Sequence, residues 1–170
     1  MLGKIQKIAG FTLVEMMTAV VIIGLIAAMV APGFDRAIKK NKFKAQTKEI
    51  VSLMRSARSS AIAEKTSLGI VFDYEENALM LYREMSSPSD NTYDDGVDTL
   101  RQTITLDSTN AYISGTFTNP ALVFHPNGTA SESGYLDYSY SEGDSYFHST
   151  ISVLASTGRA RVEYLECDQY

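Results

Sequence analysis

The feature that most restricts this chain is a run of 21 residues, Phe11–Ala31, in which Glu15 is the single charged residue. As an α-helix rising about 1.5 Å per residue, the run is about 31 Å long, close to the ~30 Å hydrocarbon core of a bilayer. It therefore predicts a membrane-spanning helix. Glu15 does not suit such a helix, because an ionised carboxylate in hydrocarbon costs about 2.5 kcal/mol or more.

Two common kinds of targeting segment explain the run poorly. A cleaved secretory signal has an apolar region of about 7–15 residues followed by a small-x-small cleavage site. This run is longer, and Met29 interrupts the small residues before Ala31. A plain signal anchor explains the length but not Glu15. It also conflicts with the positive-inside rule, because the basic residues after the run outnumber Lys4 and Lys7 before it.

The segment KIAGFTLVEMMTAVVIIGLIAAMVAPGF resembles the prepilin N terminus of type IV pilins and type II secretion pseudopilins. The resemblance rests on a basic leader that ends in Gly10, the following Phe-Thr-Leu-Val-Glu and the apolar run. In that family a prepilin peptidase cleaves after the glycine and methylates the new N-terminal residue. The resemblance therefore implies a cleaved leader of residues 1–10, cleavage between Gly10 and Phe11, and N-methylation of Phe11.

Such processing would explain Glu15. Cleavage creates an ammonium group at Phe11, one helical turn from Glu15. In a bundle of stacked subunits, Glu15 can pair with the Phe11 ammonium of a neighbour. Because an unpaired buried charge is costly, this pairing is expected to set the axial register of the assembly. The alternative is that Glu15 snorkels to the membrane surface at the helix end.

The helical pattern continues beyond the apolar run. Pro32 and Gly33 are predicted to kink or locally unwind the helix near Ala31–Phe34, because proline lacks a backbone donor and disfavours helix before it. From Phe34 to Lys65 the pattern is helical again. The two parts together make a helix of about 55 residues, or roughly 80 Å. A filament subunit needs such a helix, whereas a small soluble domain does not.

The second part of this helix is amphipathic. Its apolar stripe is predicted to pack on a sheet and consists of Ile50, Leu53, Met54, Ala57 and Ala61. The opposite face carries Lys48, Arg55, Ser59 and Lys65. Residues 36–48 hold six basic residues and no acidic one. Just outside a membrane span, solvation or contact with lipid headgroups is favoured there over nucleic-acid binding.

The remainder of the chain predicts short strands separated by turns. The expected strands are Ser67–Phe72, Leu79–Arg83, Gln102–Leu106, Tyr112–Phe117, Leu122–Phe124, Tyr135–Tyr140, Thr150–Leu154 and Arg159–Leu165. The fold class is therefore α+β, a long N-terminal helix packed against an antiparallel, pilin-like β head, with two small sheets expected. The predicted regions are the leader 1–10, a membrane or filament helix 11–33, an amphipathic helix 34–65 and a β head 66–170.

The head is acidic: residues 85–170 hold three basic and twelve acidic residues, a net charge of −9. Part of this charge lies in the long polar segment Met85–Asp98. A solvated loop is the favoured interpretation of that segment. Calcium binding is the alternative, although the spacing does not match an EF-hand, and the candidate ligands are Asp90, Asp94, Asp95 and Asp98.

Three further segments resemble the GspH/FimT group of minor pseudopilins. One is a helical Ala-Arg-Ser-x-Ala-Ile pattern, one a Phe-x-Pro-x-Gly turn, and one a C-terminal Gly-Arg-x-Arg. The matching residues are Ala57, Arg58, Ser59, Ala61, Ile62, Phe124, Pro126, Gly128, Gly158, Arg159 and Arg161. The resemblance implies a minor pseudopilin of a type II secretion pseudopilus or of a type IV pilus tip. It would be a single-pass protein of the bacterial inner membrane with its head in the periplasm or outside.

The implied partners are the inner membrane, other pilins or pseudopilins, and the prepilin peptidase. The alternative is a FimT-like minor pilin that takes up DNA through Arg159 and Arg161, which lie two residues apart on one face of a strand. The charge of −9 opposes this alternative. The two arginines are instead expected to pair with acidic residues of the head or of a neighbouring subunit.

Catalytic and cofactor chemistry is not expected. The chain carries no Gly-x-Ser-x-Gly, no HExxH and no phosphate-binding glycine loop. His125 and His148 are interpreted as surface histidines, and the one cysteine, Cys167, as incidental or as a cross-link between subunits. Tyr138 and Tyr140 suit either a contact surface, together with Tyr135 and Tyr146, or one face of a strand.

Overall fold

The computed structural model describes residues 11–85, 91–107, 109–119 and 121–167, with side chains for all of these except residues 29–33 and 165–167. Gly10 and Asp90 lie outside the described residues, as does the side chain of Cys167. By its internal contacts the chain divides into two compact units, residues 1–38 and residues 39–170.

The helix α1 spans Leu13–Glu64 and runs through both units. Its backbone is α-helical at Pro32 and Gly33. Of the two alternatives predicted at Ala31–Phe34, local unwinding is therefore wrong, because at one proline a helix can lose a single hydrogen bond and still continue on either side. A kink there stays a prediction. Within the described part of the chain, no helix combines the length and the apolar character that crossing a membrane requires. The predicted span Phe11–Ala31 includes residues with undescribed side chains and stays a prediction.

The first unit exposes every side chain that is described in it. Large apolar side chains are among them, with Phe11 at 80% exposure, Leu13 at 75% and Phe34 at 63%. A contiguous apolar surface of this kind is typical of a segment that is covered by lipid or by another chain.

Eight strands form in the described part of the second unit. They are β1 (Leu68–Asp73), β2 (Ala78–Arg83), β3 (Thr99–Thr105), β4 (Ala111–Gly115), β5 (Ala121–Phe124), β6 (Gly134–Glu142), β7 (Ser145–Leu154) and β8 (Arg159–Cys167). One antiparallel sheet has the order β3-β2-β1-β5 and the other the order β4-β6-β7-β8. All eight predicted strands and the two small sheets are confirmed.

Both sheets bury one face against the second part of α1. The predicted apolar stripe is confirmed, with Ile50, Met54, Ala57 and Ala61 all 0% exposed. Two more buried residues of α1 precede this stripe and lie within the basic residues 36–48. Phe43 is 1% exposed, and the hydroxyl of Thr47 lies 3.2 Å from the Ser149 hydroxyl of β7.

Aromatic rings fill the core beneath the second sheet. The Phe43 ring stacks at centroid distances of 5.4 Å on Tyr138 and 5.5 Å on Phe147. Tyr138 and Tyr140 are fully buried, which confirms the strand-face interpretation of this pair. The Tyr138 hydroxyl donates to Gln46 of α1, and burial raises the pKa of Tyr138. The amphipathic helix is thus joined to the second sheet by packing and by hydrogen bonds.

The outer face of the first sheet carries a second, smaller apolar cluster around Tyr82. The Tyr82 ring lies across Gly69, its partner in the β1–β2 register, where an added Cβ would come within 2.2 Å of the ring. The Tyr82 hydroxyl donates to the Thr92 carbonyl at 2.9 Å, and the Tyr93 ring packs edge-on at 5.3 Å. The described part of the acidic segment therefore covers the sheet and is not simply solvated.

Candidate functional site

The helix α1 begins with a capping box. The Thr12 hydroxyl accepts the backbone N–H of Glu15 at 3.2 Å, and the Glu15 carboxylate accepts the backbone N–H of Thr12 at 3.0 Å. The Thr12 hydroxyl also donates to that carboxylate at 2.9 Å. Reciprocal bonds of this kind satisfy orphan donors at a helix start. The pattern Thr-x-x-Glu before an apolar run is its sequence signature, so Thr12 was recognisable from the sequence.

This geometry bears on the processing site predicted at Gly10 and Phe11. Phe11 is 80% exposed and precedes the helix. Both capping residues, Thr12 and Glu15, lie after the predicted cleavage point, so cleavage would leave the start of α1 intact. The pairing of Glu15 with the Phe11 ammonium of another subunit stays a prediction.

The three segments that resemble minor pseudopilins converge at Arg58. Its Nε donates to the Gly128 carbonyl of the β5–β6 connection at 3.0 Å. Gly158, in the β7–β8 turn, approaches the same carbonyl so closely that an added Cβ would lie 2.5 Å from its oxygen. Gly128 and Gly158 have φ of +84° and +58°, which residues with a Cβ rarely adopt. Two glycines far apart in sequence therefore create the seat of one arginine.

Beside this seat lies a surface cavity of about 380 Å³, which we name the arginine cavity. It is lined by Arg55, Arg58, Thr157, Gly158, Arg159 and Ala160. A second cavity of about 420 Å³ lies between α1 and β8 and shares Arg55 with the first; we name it the mixed cavity. It is lined by Lys48, Val51, Ser52, Arg55, Val162 and Tyr164. Together the two cavities make up the basic groove between α1 and the edge strand β8.

The predicted DNA-binding pair, Arg159 and Arg161, lies on β8 and is exposed. Arg159 lies with Arg55 and Arg58 at the arginine cavity, and it also lines a third cavity, of about 360 Å³, together with Arg161. Arg161 lines neither cavity of the basic groove. In the described part of the chain, no ion pair within the head joins Arg159 or Arg161 to a carboxylate. The expectation that they pair with acidic residues of their own head is therefore not met there. Pairing with a neighbouring subunit stays a prediction.

Other basic side chains do pair with the head. Lys42 donates to Asp107 at 2.8 Å and lies 5.3 Å from the centre of the Tyr140 ring. The hydrogen bond from Lys42 is the main cause that lowers the pKa of Asp107 to about 2. Lys39 donates to the Glu142 carbonyl at 3.4 Å. These two lysines of residues 36–48 therefore contact the head. Lys42 is still exposed, as the solvated interpretation of these residues expects.

The C-terminal end of α1 carries a second ionic cluster. The Glu64 carboxylate accepts hydrogen bonds from both terminal nitrogens of Arg101 of β3, at 2.6 and 2.5 Å, and it also binds Arg83 of β2. The hydrogen bonds from Arg101 and then Arg83 lower the pKa of Glu64 to about 2. The cluster ties the end of the helix to the first sheet.

The candidate calcium ligands are only partly described. Asp98 is 8% exposed, and its carboxylate oxygens accept the backbone N–H groups of Met85 at 2.8 Å and Asp94 at 2.9 Å. Asp94 and Asp95 are exposed. Among the residues that are described, no group of three or more His, Cys, Asp or Glu side chains is arranged to hold a metal. Asp98 thus has a structural role in closing the loop, and calcium binding stays a prediction.

The two histidines are half-buried. His125 Nδ1 lies 3.5 Å from the Ser67 hydroxyl. His148 Nε2 lies 3.4 Å from Asp137, a carboxylate on the neighbouring strand β6. Sequence spacing did not reveal this pair, because its members meet across two strands.

Comparisons with known proteins agree with this architecture. The family profile described as Type II transport protein GspH matches residues 46–157, more than half of the chain. The profile described as Prokaryotic N-terminal methylation motif matches residues 5–31, which include Gly10, Phe11 and Glu15. The first profile covers Arg55, Arg58 and Gly128 and ends before Gly158. A search of curated proteins finds no match.

Two solved structures of a minor pseudopilin resemble the chain. The minor pseudopilin EpsH from the Type 2 Secretion System of Vibrio cholerae has 13% sequence identity and a TM-score of 0.52, over 74% of this chain and 97% of that one. A crystal structure of EpsH from the type II secretion system of the same organism has 9% identity and a TM-score of 0.49, over 75% and 97%. At such identity the first likeness shows a shared fold.

Proposed function

Because the chain belongs to the GspH family of type II transport proteins, we propose that it acts as a minor pseudopilin, a structural subunit of a type II secretion pseudopilus. One observation carries this proposal: a single helix joins an N-terminal methylation motif to a head that matches the GspH family. That arrangement suits a subunit that is stored in a membrane and then assembled. Its role is structural rather than catalytic, and a type IV pilus tip is the related machine it could serve instead.

The N-terminal segment prepares the subunit for assembly. Prepilin peptidase cleaves between Gly10 and Phe11 and methylates Phe11, within the stretch that matches the methylation motif. Intact-mass measurement of the membrane-extracted protein tests this step. A chain that begins at methylated Phe11 is expected, and a chain that begins at Met1 or near Ala31 contradicts it.

The exposed apolar surface of the first unit is the assembly surface. Before assembly, lipid of the bacterial inner membrane covers the helix in a single pass, with the head in the periplasm. After assembly, the N-terminal helices of other pseudopilins cover it. Glu15 then leaves its local bonds with Thr12 and pairs with the Phe11 ammonium of a neighbour, because a carboxylate in an apolar bundle requires a cation.

Glu15 variants test the assembly step. Glu15→Ala should leave membrane insertion intact and abolish incorporation into the pseudopilus, whereas Thr12→Ala weakens the helix start and keeps the charge. Subunits are counted by immunoblot in sheared filaments and in membranes. Equal incorporation of Glu15→Ala and wild type would show that Glu15 does not set the register.

DNA uptake is a second candidate function, because Arg55, Arg58 and Arg159 line one cavity. Three phosphate contacts, one for each arginine, give a log–log salt slope of only about −3, and the acidic head repels a polyanion. A gene deletion separates the two functions when secreted proteins, surface pili and DNA uptake are assayed together. Loss of secretion supports the pseudopilus, and loss of DNA uptake alone supports the alternative.

A further inference from the structure

The arginine cavity concentrates positive charge that no carboxylate in the described part of the chain neutralises. Arg55, Arg58 and Arg159 line it, and no carboxylate is among its described lining residues. Two other arginines of the head, Arg83 and Arg101, are neutralised, because both bind Glu64. Three like charges around one cavity repel one another. An anion from outside the chain that bound in this cavity would lower the repulsion.

One of these arginines, Arg58, is held in a fixed orientation by the backbone. Arg58 is half-buried, and its Nε is occupied by the Gly128 carbonyl at 3.0 Å. This bond fixes the plane of the guanidinium group. A carboxylate binds best to a guanidinium group through two parallel hydrogen bonds, so a fixed plane lowers the entropy cost of binding.

The mixed cavity indicates what kind of anion fits. It continues from Arg55 along β8, and Val51, Val162 and Tyr164 give it an apolar lining. A nucleic-acid backbone of phosphates and hydrophilic sugars has no apolar side chain to place there. A protein segment has both carboxylates and apolar side chains, and the edge strand β8 runs beside it with one side unpaired in its sheet. The chemistry of the groove favours a protein over a polyanion.

We propose that the basic groove receives an acidic segment of a neighbouring pseudopilin subunit. The segment places carboxylates between Arg55, Arg58 and Arg159 and an apolar side chain in the mixed cavity. This inference rests on the proposed function, because it takes the neighbour from the same filament. It adds to the helix contacts of the first unit a second, head-to-head contact.

Site-specific photo-cross-linking in the full-length chain tests the proposal. A photoreactive amino acid replaces Thr157, in the arginine cavity, or Ser52, in the mixed cavity; both positions are exposed. The proteins are produced in cells that hold the secretion machinery. The expected product is a cross-link to another subunit with an N-terminal methylation motif, and its cross-linked peptide, identified by mass spectrometry, contains Asp or Glu.

Charge variants then establish which residues hold the segment. Arg55→Glu combined with Arg159→Glu should lower the cross-link yield at least about tenfold, as loss of a buried interfacial arginine does. The single variant Arg159→Glu should also lower the yield. Arg161→Glu is its matched control, because each reverses one charge on β8 and Arg161 lies outside both cavities of the groove, so Arg161→Glu should leave the yield unchanged. Reversing the partner's acidic residue to lysine should restore the yield in the double variant. Immunoblots check that all variants accumulate equally.

Three results would overturn the proposal: no protein cross-link from either position, a cross-linked peptide without acidic residues, or equal yields in the double variant and the wild type. Arg161-dependent cross-linking to nucleic acid would also overturn it in favour of DNA. Secretion is assayed in the same strains. Normal secretion after gene deletion refutes the proposed function. If gene deletion stops secretion but the double variant secretes normally and keeps its cross-link yield, the proposed function stands and only the proposal for the basic groove is refuted.

Discussion

Ile23 and Ile50 lie on the same helix, yet Ile23 is 66% exposed and Ile50 is completely buried. The difference separates the two units of the chain. The second unit covers its part of α1 with two sheets, whereas the first unit leaves every described side chain exposed. Residues of the second unit therefore pack mainly within the subunit, and the proposed function assigns residues of the first unit to contacts with lipid or with other subunits. Mutations in the two parts should fail in different ways.

The largest contrast is expected between Ile50→Ala and Ile23→Ala. Ile50→Ala should lower the free energy of unfolding of the head by about 2–5 kcal/mol, because it leaves a cavity in a packed core. Ile23→Ala removes the same atoms from an exposed site and should leave head stability unchanged. Denaturation of the full chain in mild detergent measures both. Equal losses of stability would erase the distinction between the two units.

The next contrast is between two glycines of the head with positive φ. Gly158→Ala should cost about 2–3 kcal/mol, because it adds backbone strain and pushes a Cβ against the Gly128 carbonyl that seats Arg58. Gly96 has φ of +85° and open space around its Cβ position. Gly96→Ala should therefore cost only about 1 kcal/mol of backbone strain. If the two variants unfold at the same denaturant concentration, the seat of Arg58 contributes nothing.

A smaller effect is expected in the first unit. Thr12→Ala removes the helix cap and should destabilise the first turn by about 1 kcal/mol, or raise amide exchange there about fivefold. The head should be unaffected, since no residue of the cap belongs to it. Hydrogen exchange read by mass spectrometry resolves the two regions. Faster exchange in the β-strands of the variant would contradict the independence of the units.

The smallest effect concerns the exposed cluster at the end of α1. The pKa of Glu64 falls from 4.5 to about 2 on folding. Its stabilising contribution is therefore complete above about pH 4.5 and is lost as the pH falls toward 2. Glu64→Gln should slightly lower stability at pH 7 and flatten the decline below pH 4.5. The pKa of Asp107 is also lowered on folding, so Asp107→Asn should change the pH dependence of stability in the same way. If neither variant changes this pH dependence, neither the Glu64 cluster nor the Lys42–Asp107 pair stabilises the fold.

The sequence alone was sufficient to predict the features that depend on short, contiguous stretches of the chain. The stripe from Ile50 to Ala61 has helical spacing, and each strand is a short apolar or alternating run between turn residues, so all eight strands were located in advance. The methylation motif is likewise a contiguous pattern. These features depend on neighbours in the chain, and their period shows which face is buried.

Only the tertiary structure decided which distant residues meet. Phe43 lies among lysines in the sequence, and its burial follows from the aromatic rings that two strands place above it. Arg58, Gly128 and Gly158 are separated by long stretches of chain, yet they form one seat because the β5–β6 connection and the β7–β8 turn meet the same face of α1. Lys42 finds Asp107 for a similar reason. Local sequence encodes the period of each element, whereas such contacts depend on how the elements pack, and no single stretch of the chain contains that information.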